Sequence, residues 1–194
     1  MSFYVDLYKV WGKNIKSLGW GSERSQKCRF SILLREDINQ ADIILDVGCG
    51  FADLKTFLLQ HNYNNQYVGV EREEQFRDIA LQNHKNIEIF DSFEGATSEN
   101  RKYDWIFASG IFCFASDEDK WLANTIESIN KFYSKAEKAV VINFLYDGGN
   151  YSKNKKMYYT SLSDISQIIS AFGAKKFNIY SDYKQNDISL ALYK

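Results

Sequence analysis

Five short apolar runs punctuate the chain, at Ile43 to Val47, Tyr67 to Val70, Ile87 to Phe90, Trp105 to Ala108 and Ala139 to Leu145. Each is too brief and too uniformly apolar for an amphipathic helix, and suits a strand buried on both faces of a parallel sheet. Between them the spacing of apolar positions turns helical: Leu54, Phe57 and Leu58, then Phe76, Ile79 and Ala80, then Trp121, Leu122, Thr125, Ile126, Ile129 and Phe132. Strands and helices in alternation predict a doubly wound α/β sheet with right-handed crossovers.

The two ends depart from that repeat. Before the first strand, "GSERSQKCRFSILLREDI" predicts a helix capped by Ser22, with Phe30, Leu33 and Leu34 on one side. After the fifth strand a helix carrying Ile165, Ile168, Ile169 and Phe172 is stopped by Gly173. Two last strands, "KKFNIYSDY" and "DISLALYK", are separated only by Lys184 to Asn186, which leaves no room for a crossover helix. They must pair antiparallel. The fold class expected is therefore a mostly parallel seven-stranded sheet closed by a C-terminal antiparallel hairpin. With 194 residues the expectation is one domain, 1–194, in which residues 1–40 form a helical lid.

Composition narrows the functions. A net charge of −1 gives no overall attraction for a nucleic-acid backbone or an anionic membrane. No apolar stretch approaches the roughly 20 residues of a membrane span, and the start lacks the features of a signal peptide, so a cytoplasmic protein is expected. Cys28, Cys49 and Cys113 are odd in number and widely spaced, which indicates neither a disulfide framework nor a zinc site.

The first strand runs into "ILDVGCGFADL", with Gly48 and Gly50 at a sharp turn and a helix expected from near Phe51. Ligands of open α/β sheets gather beyond the carboxyl ends of the strands, beside such turns. Glu71 ends the second strand, about 20 residues after the glycines, where an acid can accept hydrogen bonds from ribose hydroxyls. Asp91 ends the third, placed to accept an exocyclic amine of adenine. These features imply an adenosine compound. A dinucleotide fingerprint would need a third glycine where Asp53 stands, and a carboxylate there repels a pyrophosphate. With Asp46 it instead favours a cation such as the sulfonium of S-adenosylmethionine.

On these residues the chain resembles the class I S-adenosylmethionine-dependent methyltransferases along nearly its whole length. "LDVGCGFADL" is similar to the family's first motif, Glu71 to its ribose-binding acid, "FDSF" to its adenine segment, and "YDWIFASGIF" to the strand that leads into the site. Within the family it resembles a subgroup of small bacterial proteins with "GWGS…SQ…RF" before the first strand and "ASGIF" after the fourth, here Gly19 to Ser22, Ser25, Gln26, Arg29, Phe30, and Ala108 to Phe112. Ala52 departs from the pattern, standing where the family usually has glycine. The resemblance implies S-adenosyl-L-methionine as cofactor and S-adenosyl-L-homocysteine as product. It implies Gly48, Cys49 and Gly50 along the methionine portion, Glu71 on the ribose, and Asp91, Ser92 and Phe93 around the adenine, with Arg72 and Phe93 covering the ring and Ser109 facing the methionine amino group. Arg29 is read either as partner of the methionine carboxylate or as a surface residue paired with a carboxylate, and Trp20 and Gln26 as parts of the lid, with Trp20 alternatively core.

Methyl transfer is a direct displacement in which the protein chiefly aligns two reactants, so a base is not obligatory. His61 and His84 end helices that start near the ligand, and ten helical residues rise about 15 Å, so both are expected at the far edge of the sheet. Tyr146, Asp147 or an N-terminal tyrosine are the alternatives. Tyr4, Tyr8 and Trp11 either roof a substrate pocket or pack the terminus down. Lys153, Lys155 and Lys156 in the loop after the fifth strand suggest an anionic acceptor, against the reading of an ordinary solvated loop. The expected reaction is methylation of oxygen or nitrogen on a small, phosphorylated or nucleotide-linked metabolite, such as a precursor for surface-polysaccharide modification. Neither nucleic acid, membrane nor metal is expected as a partner, and the chain is expected as a monomer or homodimer. The rivals are a non-catalytic S-adenosylmethionine-binding module and an NAD-dependent oxidoreductase.

Overall fold

In the computed structural model, residues 3–114, 117–149, 153–154 and 157–194 are described. They fall into two compact units, residues 1–98 and 99–194. The first unit holds α1 (Phe3–Trp11), α2 (Glu23–Phe30), β1 (Ile43–Val47), α3 (Asp53–Gln60), β2 (Gln66–Val70), α4 (Glu74–Asn83), β3 (Glu88–Phe90) and the single turn α5 (Phe93–Ala96). Its strands lie parallel in the order β3-β2-β1, with Asp46 opposite Gly69 and Val70 opposite Phe90. The second holds β4 (Tyr103–Ser109), α6 (Glu118–Lys135), β5 (Ala136–Leu145), α7 (Leu162–Phe172), β6 (Phe177–Tyr180) and β7 (Asp187–Tyr193). Here β4 and β5 are parallel, and β7 runs antiparallel between β5 and β6.

The expected class, a mostly parallel seven-stranded α/β fold ending in an antiparallel hairpin, is what the chain forms. Local chemistry explains the boundaries. Ser22 caps α2 by accepting the Ser25 N–H, which satisfies one of the orphan donors of the first turn. Ser161 and Asp164 cap α7 reciprocally, and Gly173 ends it at φ +55°. On α6, Trp121, Thr125, Ile129 and Phe132 return to one face at helical spacing and are buried, while its other face is charged. In β1, Ile44 to Val47 are all buried, as a strand covered on both faces requires.

The N-terminal helix packs onto the first unit through aromatic rings. Tyr4 and Tyr8 of α1 meet the ring of Phe76 edge-on, at 6.4 and 5.8 Å, and Phe76 meets Phe51 at 5.1 Å. With Ile79 and Leu18 these make a small apolar core of their own. Tyr4 and Tyr8 are only partly buried, so each contributes a fraction of the about 1.5–3 kcal/mol of a fully buried side chain, yet a helix of nine residues depends on such packing rather than on propensity. Tyr4 and Tyr8 thus pack the terminus down. Trp11 stays about half exposed, with the Lys16 ammonium 4.2 Å from its ring centre.

Candidate cofactor site

The turn after β1 is held mainly by hydrogen bonds to the end of β2. Gly48 and Gly50 adopt φ of +77° and +56°, which side chains disfavour. The N–H groups of Gly48 and Cys49 both donate to Val70 O, at 2.8 and 3.0 Å, and Gly50 N–H donates to Glu71 Oε2 at 3.0 Å. Ala52 N–H closes the turn on Cys49 O. Helix α3 therefore begins at Asp53, two residues later than the sequence implied, because Ala52 itself is left-handed at φ +59°. That conformation strains any L side chain and is one that glycine adopts freely.

Glu71 is locked at the same point. Its other oxygen accepts the Glu73 N–H at 2.9 Å, and only 8% of the residue is exposed. Burial raises its carboxyl above the ordinary range, and the two backbone donors oppose that shift. Each carboxylate oxygen retains a second lone pair for a ligand hydroxyl. Asp46 is deeper, 4% exposed, and accepts the Tyr67 hydroxyl at 2.7 Å. Burial pushes it up to about 7, against the Tyr67 hydrogen bond and with help from the charges of Glu71 and Asp53. Asp53 is also raised by burial, while Gln26 Nε2 donates to it at 3.0 Å.

The structure brings Trp20 and Arg29 together, the guanidinium 4.4 Å from the indole centre, with Arg29 buried. Gln26 is turned to Asp53 instead. Arg72 is largely exposed and pairs with Glu73 at 3.4 Å. Asp91 is exposed and accepts the Ser92 hydroxyl at 3.0 Å, while Ser92 caps the turn that Phe93 begins. Ser109 ends β4 in the second unit, buried, its hydroxyl without a partner among the described residues. Asp147 pairs with Lys153, and the Tyr146 ring covers the backbone of Gly148. Lys155 and Lys156 lie outside the described residues.

One expected placement needs correction. His61 caps the end of α3, bonding Phe57 O at 2.8 Å, but His84 does not stand at the far edge: its Nε2 is 3.0 Å from Thr56 Oγ1, in the second turn of α3. The rise along α4 counts from that helix's own start, whereas the end of α4 leans back over the glycine turn, where Asn83 Nδ2 donates to Phe51 O at 3.2 Å. Burial lowers the His84 imidazole below its usual range. Sequence reasoning also missed three partners of the turn. Leu18 methyls lie against Gly50, where an added Cβ would meet them at 2.9 Å; Gly69 makes room for the Cys49 sulfur, which an added Cβ would meet at 2.6 Å; and Tyr67 holds Asp46. Tyr67 was legible in principle, lying opposite Ile44 in β2 on the neighbouring strand. A cavity of about 300 Å³ lined by Lys13, Gln26, Phe51, Asp53, Thr56 and Asn83 also went unforeseen; it shares Gln26 and Asp53 with the predicted set but includes neither Gly48 nor Glu71.

The chemistry of this donor set suits one class of ligand. A pyrophosphate needs backbone N–H groups, yet those of Gly48, Cys49 and Gly50 are already spent inside the protein. What surrounds the turn is carboxylate, at Asp46, Asp53 and Glu71, which fits a cation with hydroxyl and amino donors.

The chain is similar to known methyltransferases. A family model described as a methyltransferase domain matches residues 45–131. An uncharacterised methyltransferase of Alkaliphilus oremlandii (strain OhILAs) is 24% identical over 148 residues, spanning 68% of this chain and 67% of the relative. Among solved structures, magnesium protoporphyrin IX methyltransferase of Synechocystis PCC 6803, with bound S-adenosylmethionine, superposes with a TM-score of 0.64 at 15% identity, covering 100% of this chain and 85% of that one. A methyltransferase of Archaeoglobus fulgidus that depends on the same cofactor gives 0.67 at 13% identity and covers both chains completely. Among the described residues no helix is long and apolar enough to cross a membrane. The methyltransferase-domain match runs from β1 into α6, and along its whole length the chain shares its fold with S-adenosylmethionine-dependent methyltransferases of known structure.

Proposed function

We propose that Gly48, Cys49 and Gly50 pass the methionine portion of the donor, that Glu71 takes the ribose, and that Asp91, Ser92 and Phe93 border the adenine, with residues 1–40 as the lid. The observation that supports this reading is the Gly50 N–H to Glu71 Oε2 bond, which ties the Glu71 carboxylate to the turn itself. When bound, the donor supplies a methyl group already activated on a positive sulfur. The chain's task is then to orient and to exclude water. Leu18 against Gly50 gives the lid its contact with the turn, and Arg29 stacked on Trp20 is a contact within the lid itself.

The acceptor in this reading is oxygen or nitrogen of a small phosphorylated or nucleotide-linked metabolite, for example in surface-polysaccharide modification. Its support is the lysine-rich sequence after β5, in which Lys153 is paired with Asp147 and lies 5.6 Å from the Tyr159 ring centre. Two measurements test it. Calorimetry with S-adenosylhomocysteine should show affinity falling tenfold or more in Glu71→Gln, the order of a lost charged hydrogen bond at roughly 1.5–3 kcal/mol. Labelled methyl donor incubated with fractionated metabolites should give a product that phosphatase pretreatment abolishes. Unchanged affinity removes Glu71 from the ribose, and indifference to phosphatase removes the phosphorylated acceptor.

A further inference from the structure

Donor and product of this reaction differ by one unit of charge. S-adenosylmethionine carries a sulfonium, and S-adenosylhomocysteine a neutral thioether, so an enzyme must release a product that resembles its cofactor in every other contact. The geometry around the glycine turn supplies a device for telling them apart. Asp46 is sealed beneath the turn, its carboxylate bonded to the hydroxyl of Tyr67, itself buried. The ionisable groups that act on Asp46 are Tyr67 from β2, Glu71 from the end of β2, Asp53 from the start of α3, and the Cys49 thiol within the turn. All are acids. Ionised together, Asp46, Glu71 and Asp53 repel one another in a poorly solvated place, and a cation entering among them relieves that repulsion where a neutral molecule does not.

We propose that the buried Asp46 carboxylate, held by Tyr67 and flanked by Asp53 and Glu71, discriminates the cationic donor from its neutral product, so that the preference for donor is strong in mild base and fades in mild acid. Asp46 is then a specificity-determining residue that acts through its field. The inference rests on the site reading given above. Burial and the neighbouring carboxylates bring Asp46 to about 7, which puts its charge change near neutrality. Linkage makes the effect reciprocal: if the ionised carboxylate favours the donor, binding the donor must favour ionisation and expel a proton, and the product must expel less.

Calorimetric titration of wild type, Asp46→Asn and Tyr67→Phe with each compound, between about pH 6 and about pH 8 and in two buffers of different ionisation enthalpy, decides it. In wild type the ratio of product Kd to donor Kd should fall about tenfold from the higher to the lower pH, the size expected of one nearby charge in a medium of intermediate dielectric. Donor binding near neutrality should release protons. In Asp46→Asn the slope should shrink to what the ligands' own amino groups contribute and the Asp46-dependent release should be gone, so the difference between the two proteins isolates the carboxylate. Tyr67→Phe keeps the carboxylate but loses the hydrogen bond that favours its ionised form, so the fall should move to higher pH. A flat ratio in wild type, or an undiminished slope in Asp46→Asn, overturns the proposal alone. Absence of binding by both compounds to wild type overturns the site assignment beneath it as well.

Discussion

Replacing Asp46 by asparagine should stabilise the ligand-free protein in mild base and help it far less in acid. The folded state raises this carboxyl from 3.8 to about 7. A raised carboxyl is a liability of folding: the penalty is absent below the unfolded value, grows as pH climbs toward the folded one, and is complete above it. At 1.36 kcal/mol for each unit, the full penalty is about 4 kcal/mol, and at about pH 5 it is still under 2. The asparagine side chain can still accept the Tyr67 hydroxyl, but its new amide donors are buried, at a cost of about 1–3 kcal/mol that does not change with pH. The pH-independent cost drops out when the two conditions are compared. Urea unfolding of both proteins without ligand, at about pH 5 and about pH 8, should therefore show the variant gaining about 2–3 kcal/mol relative to wild type between the two. If the two stability curves run parallel in pH, Asp46 does not carry a burial penalty, and the account of its surroundings is wrong.

Two more substitutions test the frame around the turn. Ala52→Gly removes a side chain from φ +59°, where an L residue is strained by roughly 1–2 kcal/mol, at the cost of a more flexible unfolded chain, so chemical denaturation should show a gain of up to about 1 kcal/mol; a loss would mean that the alanine methyl is packed better than its conformation suggests. Phe76→Ala empties a site almost completely buried between Phe51, Tyr4 and Tyr8, and should cost about 3–5 kcal/mol while making α1 the first segment cut in limited proteolysis; an unaltered cleavage pattern would detach α1 from that cluster.

The elements that sequence located best are those whose ends are written in local chemistry. β1 spans Ile43–Val47, as its apolar run implied, and Ser22 and Gly173 bound their helices as capping residues should. The antiparallel hairpin followed from the shortness of its connection. In the site, the position of Glu71 was readable because strand length and crossover length fix where the second strand ends. Other features depend on contacts that no spacing encodes. The delayed start of α3 comes from a left-handed alanine, the ordering of α1 from aromatic rings that meet Phe76 across the fold, and the nearness of His84 to α3 from the tilt of α4. The sequence reading placed Asp46 in a negative field but could not weigh its burial, which is what brings its ionisation to neutrality.

The seat of Cys49 against Gly69 has a practical side. Its sulfur lies in a slot that has no room even for a methyl group on the neighbouring strand, and burial pushes the thiol far from its reactive thiolate form. Cys28 and Cys113 are only partly covered. Oxidants and alkylating reagents will therefore spend themselves on those two and spare the glycine turn, and the third sulfhydryl becomes a built-in gauge of how many molecules have come unfolded.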